Sequence, residues 1–116
     1  TAERAAYLAE IGIKPIQADW ATIAKALSLP RLDSVLIAVS HAPVQGREPE
    51  RTHVAGLENL LKQGLVDVDR WVYVSTTGVY APRFNGEWVD EQATVEAVRP
   101  GAKAALAAEH WLNTHI

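Results

Sequence analysis

The chain has 116 residues, enough for one domain around one modest core. Hydrophobic residues make up 48% and charged residues 22%, an ordinary globular balance, and a formal net charge of −3 leaves no basic footprint for nucleic acid. No apolar run approaches the roughly 18 residues of a membrane span, and the absence of cysteine excludes disulfides and thiolate metal sites, as suits a cytoplasmic protein.

Thr1 is placed to cap a helix over residues 2–10, with Glu3 in its first turn and Gly12 just past its end. This charged, helical opening does not read as a signal peptide. The chain contains no methionine, even at position 1, and begins inside a helical pattern. It therefore reads as a piece of a longer chain, or as a chain with further residues at its ends. Residues 13–19 read as a short strand, which Pro15 places at a sheet edge or at a strand start. A short helix over 19–27 follows, with Ile23, Ala24 and Leu27 on one face and Pro30 helping to stop it.

Residues 33–40, DSVLIAVS, form a clear strand, and the unbroken apolar run over 35–39 suits a strand covered on both faces. A loop rich in Pro, Gly and charge leads to a helix over 49–64, with Val54, Leu57 and Leu61 at i, i+3 and i+7 and Gly64 ending it. A strand over 70–76 and a polar loop, APRFNGEWVDEQ, come next. Pro100 opens a last helix to about residue 114, with Ala105, Ala108 and Leu112 facing inward. Strands alternating with helices imply an α/β domain: a parallel sheet with helices on both faces, joined by right-handed crossovers. Nothing suggests an internal repeat or a second domain.

The stretch WVYVSTTGVY, residues 71–80, carries the most functional information. Its apolar strand runs straight into Ser75, Thr76 and Thr77. Ligands bind at the carboxyl ends of strands in open α/β sheets, so these hydroxyls suit one wall of a small-molecule site. A strand ending in a plain Thr/Ser turn explains them equally well.

The succession DSVLIAVS, THVAGLENLLKQG, RWVYVSTTGVY, GEWVDE and AALAAEHWL resembles the extended short-chain dehydrogenase/reductase family, and more narrowly its NAD-dependent epimerase/dehydratase group. VSTTGVY followed by GEWVDE is the strongest element, because order and spacing both match. The resemblance implies a Rossmann-type domain that binds NAD or NADP and acts on a small carbonyl or nucleotide-sugar substrate. Residues 13–19, 33–40 and 70–76 would be strands three, four and five of the order 3-2-1-4-5. The family's glycine-rich phosphate turn would then lie upstream, since no G-x-G-x-x-G or G-x-x-G-x-x-G occurs in the chain. Residues 1–116 are thus expected to be a partial dinucleotide-binding domain. The residue that selects NAD over NADP normally follows strand two, so that choice is not legible.

The resemblance also assigns residues. Thr76 takes the place of the catalytic Ser/Thr, four residues before Tyr80. Ala38, Val39 and Ser40 end strand four, and Val74 and Ser75 end strand five, where the cofactor runs. Asp19 matches the acid after strand three, near the adenine, with Trp20 beside it; capping of the following helix explains Asp19 as well. The family's Tyr and Lys, four apart, fall on Gly101 and Ala105, which cannot transfer a proton. Lys103, two residues along, reads as a solvated helix lysine. The alternatives are therefore an atypical dinucleotide-binding protein without Tyr/Lys chemistry, or an inactive fragment. His41 is placed to line the cleft, and His53 falls where many members carry Asn. No i, i+4 His pair occurs, so no metal site is expected. In GEWVDE, which the resemblance puts near the substrate side, Glu87, Asp90 and Glu91 are candidate site carboxylates, but the favoured expectation is that Trp88 pins the loop while these acids stay solvated. A homodimer through the helices at 49–64 and 100–114 completes the expectation.

Overall fold

Two short parallel strands organise the protein, a computed structural model of which describes residues 1–22, 29–43, 45–64, 67–81 and 86–116. Strand β1 is Ser34–Ile37 and strand β2 is Arg70–Tyr73, paired in register from Ser34 opposite Arg70 to Ile37 opposite Tyr73. One further bond on each side, Arg70 N to Asp33 O at 3.2 Å and Val74 N to Ile37 O at 2.9 Å, extends the ladder. Both strands are shorter than expected, 34–37 against 33–40 and 70–73 against 70–76, because among the described residues no backbone bond joins them beyond Val74 N to Ile37 O. Helix α2, Pro49–Lys62, links them as the crossover of a β-α-β unit.

Helix α1, Ala2–Glu10, starts at Thr1, whose Oγ1 accepts the Arg4 amide at 3.3 Å. Gly12 follows at φ +84°, a backbone conformation that favours glycine. None of the α1 side chains is buried. The Cα radius of gyration is 16.1 Å, against about 13 Å for a compact chain of this length. Helix α3, Pro100–His115, closes the described chain and packs along α2. Pro at the first position of both α2 and α3 fixes φ where no intrahelical N–H bond is lost.

The core forms where the odd-numbered strand residues meet α2 and α3. Ile37, Leu57 and Ala108 are its buried centre, with Val35, Trp71, Tyr73, Leu60 and Leu112 packed around them. Complete burial of Leu57 contributes about 2–3 kcal/mol. Ala102, Ala104, Ala105 and Ala108 are buried as well, so the close approach that alanine permits is spent between α3 and its own chain.

Two expectations are corrected here, and a third falls largely outside the described residues. Residues 13–19 form no strand. Pro15 offers no N–H, and no strand among the described residues lies beside this segment. Helices cover one face of the sheet rather than both: on the other face Leu36, Val72 and Val74 are 66%, 45% and 53% exposed. The runs are apolar on both faces, but α2 and α3 share a single side. Of the expected helix over 19–27, the structure describes a 3₁₀ turn, Trp20–Thr22; Ile23, Ala24 and Leu27 lie outside the described residues. Among the described residues no helix is long and apolar enough to cross a membrane.

Candidate functional site

Where β1 and β2 end, their continuations separate and leave a cleft of about 560 Å³. Ala38, Val39 and Ser40 form one side of it, and Val74, Ser75 and Thr76 form another. Six of the eight residues expected at a site therefore meet at the carboxyl edge of the parallel pair. Thr76 is exposed and extended, at φ −135° and ψ 142°, and its Oγ1 accepts the Gly78 amide at 3.2 Å, capping the 3₁₀ turn Thr77–Val79. This hydroxyl thus satisfies backbone and lines the cleft together. The Ser75 hydroxyl donates to Glu109 of α3.

Asp19 and Trp20 do not join this cleft. Asp19 accepts the Ala21 amide at 3.0 Å and the Thr22 hydroxyl at 2.8 Å, which makes it the cap of the 3₁₀ turn. Trp20 lies on α2: a Cβ at Gly56 would stand 2.3 Å from its ring. The Trp20 carbonyl accepts Asn59 Nδ2 at 3.0 Å, and its ring tilts against His53 at 5.8 Å. Trp20 is a packing residue of α2.

Helix α3 meets the cleft at Arg99, Gly101, Ala102 and Ala105. The positions assigned to Tyr and Lys therefore do border the cleft, but as glycine and alanine. Gly101 allows a close approach, since a Cβ there would lie 3.3 Å from the His41 Cβ. Lys103 stands apart, its ammonium 3.6 Å from Glu50 on the exposed side.

The polar centre of the cleft is His53. It is 3% exposed, and its Nδ1 is 2.8 Å from the Tyr73 hydroxyl. Burial lowers the His53 pKa first, and the neighbouring His41 ring, 6.2 Å away, lowers it further; the Ser40 backbone partly opposes both. His53 Nε2 and His41 Nδ1 are both enclosed and make no hydrogen bond among the described residues. Burial, aided by the Glu109 charge, pushes the Tyr73 phenol up from 10.0 to about 12. Tyr73 therefore keeps its proton at neutral pH, and whether its hydroxyl donates to or accepts from His53 Nδ1 is set by the tautomer of the ring.

Sequence reasoning passed over Tyr73 and Arg99. His53 falls on the inward stripe of α2 with Leu57 and Leu60, at i, i+4 and i+7, and that periodicity was the signal for its burial. The GEWVDE loop lies away from the cleft. Trp88 is 101% exposed and pins nothing, a further correction. The loop is shaped instead by Asp90, which accepts the Gln92 amide at 3.0 Å, and by an antiparallel bridge between Tyr80 and Val95. Among the described residues no group of three or more His, Asp or Glu could hold a metal. No family model, no curated protein and no solved structure matches this chain.

Proposed function

We propose that this chain binds the nicotinamide end of NAD or NADP across the carboxyl edge of β1 and β2, as part of an epimerase/dehydratase-like or reductase-like protein for a small carbonyl or nucleotide-sugar substrate. One observation carries the reading: the short side chains of Ala38 and Ser40 and the hydroxyls of Ser75 and Thr76 line one cleft at the ends of adjacent parallel strands. These residues suit a nicotinamide riboside, with room for the ring and hydroxyls for the ribose or a substrate oxygen. No residue run in the chain suits the pyrophosphate turn, so the fit is to one end of the cofactor. When bound, the nicotinamide would supply hydride transfer; these residues would recognise and orient.

Gly101 and Ala105 beside the cleft favour the atypical form of this reading, in which binding proceeds without Tyr/Lys proton transfer. A homodimer through α2 and α3 would have to use their outer faces, because the alanine stripe is already buried. The test is a titration of NADH and NADPH followed by broadening of the nicotinamide proton resonances, on the native chain and on Ala38→Phe, an exposed position whose new ring fills the cleft. Saturable binding near ~1 mM that Ala38→Phe removes supports the proposal. Nicotinamide resonances that stay sharp, or that broaden equally with Ala38→Phe, refute it.

A further inference from the structure

Two apolar surfaces of this chain lack cover, and they are of complementary kinds. The first is the bare face of the sheet, formed by Leu36, Val72 and Val74. A parallel strand pair ordinarily carries helices on both faces. The second is the arm formed by residues 1–19, in which α1 lies along residues 15–19 and shares a groove with them. No α1 side chain is buried, and Tyr7, Ile11, Ile13 and Ile16 are each about half exposed. Tyr7 and Ile11 stand four residues apart, on one face of α1.

Area, charge and position together select the occupant. The chain exposes 8553 Å², against about 6,200 Å² for a folded monomer of 12.6 kDa. The excess of roughly 2,000 Å² is more than twice the ~800 Å² that each partner gives to a standard interface. The three sheet residues alone make a patch no larger than many monomers carry, so two bare faces pressed together bury too little; the arm supplies the remainder. On the face of α1 that holds Tyr7, Glu3 and Glu10 stand at i−4 and i+3 and Arg4 at i−3, so acids outnumber the base. The bare face has the opposite sign. Arg70, in register with Ser34, ends it, and among the described residues Arg70 makes no ion pair. The arm is rooted at Trp20, which packs on α2 and hence on the covered side of the sheet. A second copy can present its bare face to the arm without the chain passing around a sheet edge.

We infer that two copies of this chain exchange arms: the Tyr7 and Ile11 face of each α1 lies on the Leu36, Val72 and Val74 face of the other copy, with its acids beside Arg70. Reciprocal exchange about a two-fold axis closes the pair and leaves neither surface bare. It gives each sheet the second helical layer that strands apolar on both faces require. This interface lies across the sheet from α2 and α3, apart from the contact through those helices that the family resemblance implies. It goes beyond the dinucleotide reading and does not depend on it.

Sedimentation equilibrium of the native chain at ~100 µM should give twice the chain mass. Leu36→Glu, on the sheet, and Tyr7→Ser, on a helix that buries nothing, should each raise the dimer dissociation constant at least about tenfold while far-UV circular dichroism stays the same. The chain has no cysteine, so one introduced thiol per chain reports the contact. When Ile11→Cys chains are mixed with Val72→Cys chains and treated with a short bis-maleimide, the mixed pair should form in preference to either chain linked to itself. A native chain that sediments as a monomer overturns the inference, as does dimerisation unchanged by Leu36→Glu or by Tyr7→Ser. Val72→Cys linking mainly to itself also overturns it, since that is the mark of two sheet faces in contact.

Discussion

Gly56→Ala puts the packing of Trp20 on α2 to a test whose outcome turns on sign. In the interior of an exposed helix, alanine is about 1 kcal/mol more favourable than glycine. Here the new Cβ would stand 2.3 Å from two ring atoms of Trp20 and 2.5 Å from a third. Ordinary carbon contacts lie at about 3.5–4.0 Å, so the indole must retreat by more than an ångström. That movement strains the Asn59 bond to the Trp20 carbonyl and the contact with His53. Overpacking of this kind costs about 1–3 kcal/mol, occasionally more, and the lost bond adds about 1 kcal/mol. Against the propensity gain, the net is a destabilisation of about 1–3 kcal/mol. Urea unfolding followed by far-UV circular dichroism and tryptophan fluorescence measures it. In a Trp20→Ala background the clash is gone, and the same substitution should recover about 1 kcal/mol. A Gly56→Ala protein as stable as the native one, or more so, would refute the packing described.

Leu57→Ala removes the most deeply buried leucine and should cost about 2–5 kcal/mol in the same urea assay. Trp88→Ser, at a fully exposed position, should change stability by less than about 0.5 kcal/mol. The His53 pKa is lowered from 6.5 by folding, so below that pH the unfolded chain takes up the proton first. Stability should therefore fall as pH drops below 6.5, and thermal melts of His53→Gln should show a shallower acid slope. Tyr73, raised from 10.0 to about 12, works in the opposite range: the unfolded chain loses its proton first, so stability should fall as pH rises above 10. Tyr73→Phe should flatten that alkaline limb.

Much of this architecture was legible because local signals agreed with packing. Thr1, Glu3 and Gly12 delimit α1, and Pro100 opens α3 where its ring costs no hydrogen bond. The apolar runs within 33–40 and 70–76 located both strands, and the hydroxyl cluster located the cleft. What failed depended on neighbours the sequence does not name. An apolar run says that a strand can be buried on two faces, not that two layers of helix are present, and Leu36, Val72 and Val74 show the difference. Residues 13–19 have strand-like composition, but among the described residues no strand lies beside them. Trp20 and Asp19 lie near one another in sequence, and both serve the 3₁₀ turn and α2 rather than the cleft. The Tyr73–His53 pair joins residues 20 positions apart across a sheet–helix contact, which no local pattern reveals.

The decisive measurement maps nicotinamide riboside, which has no phosphate, onto the amide spectrum of the chain. If the carboxyl edge is where a ligand lodges, the resonances of Ala38, Ser40, Ser75 and Thr76 move together with one saturation curve. If those amides stay still while Leu36 and Val72 on the bare face respond, the cleft has been assigned the wrong role.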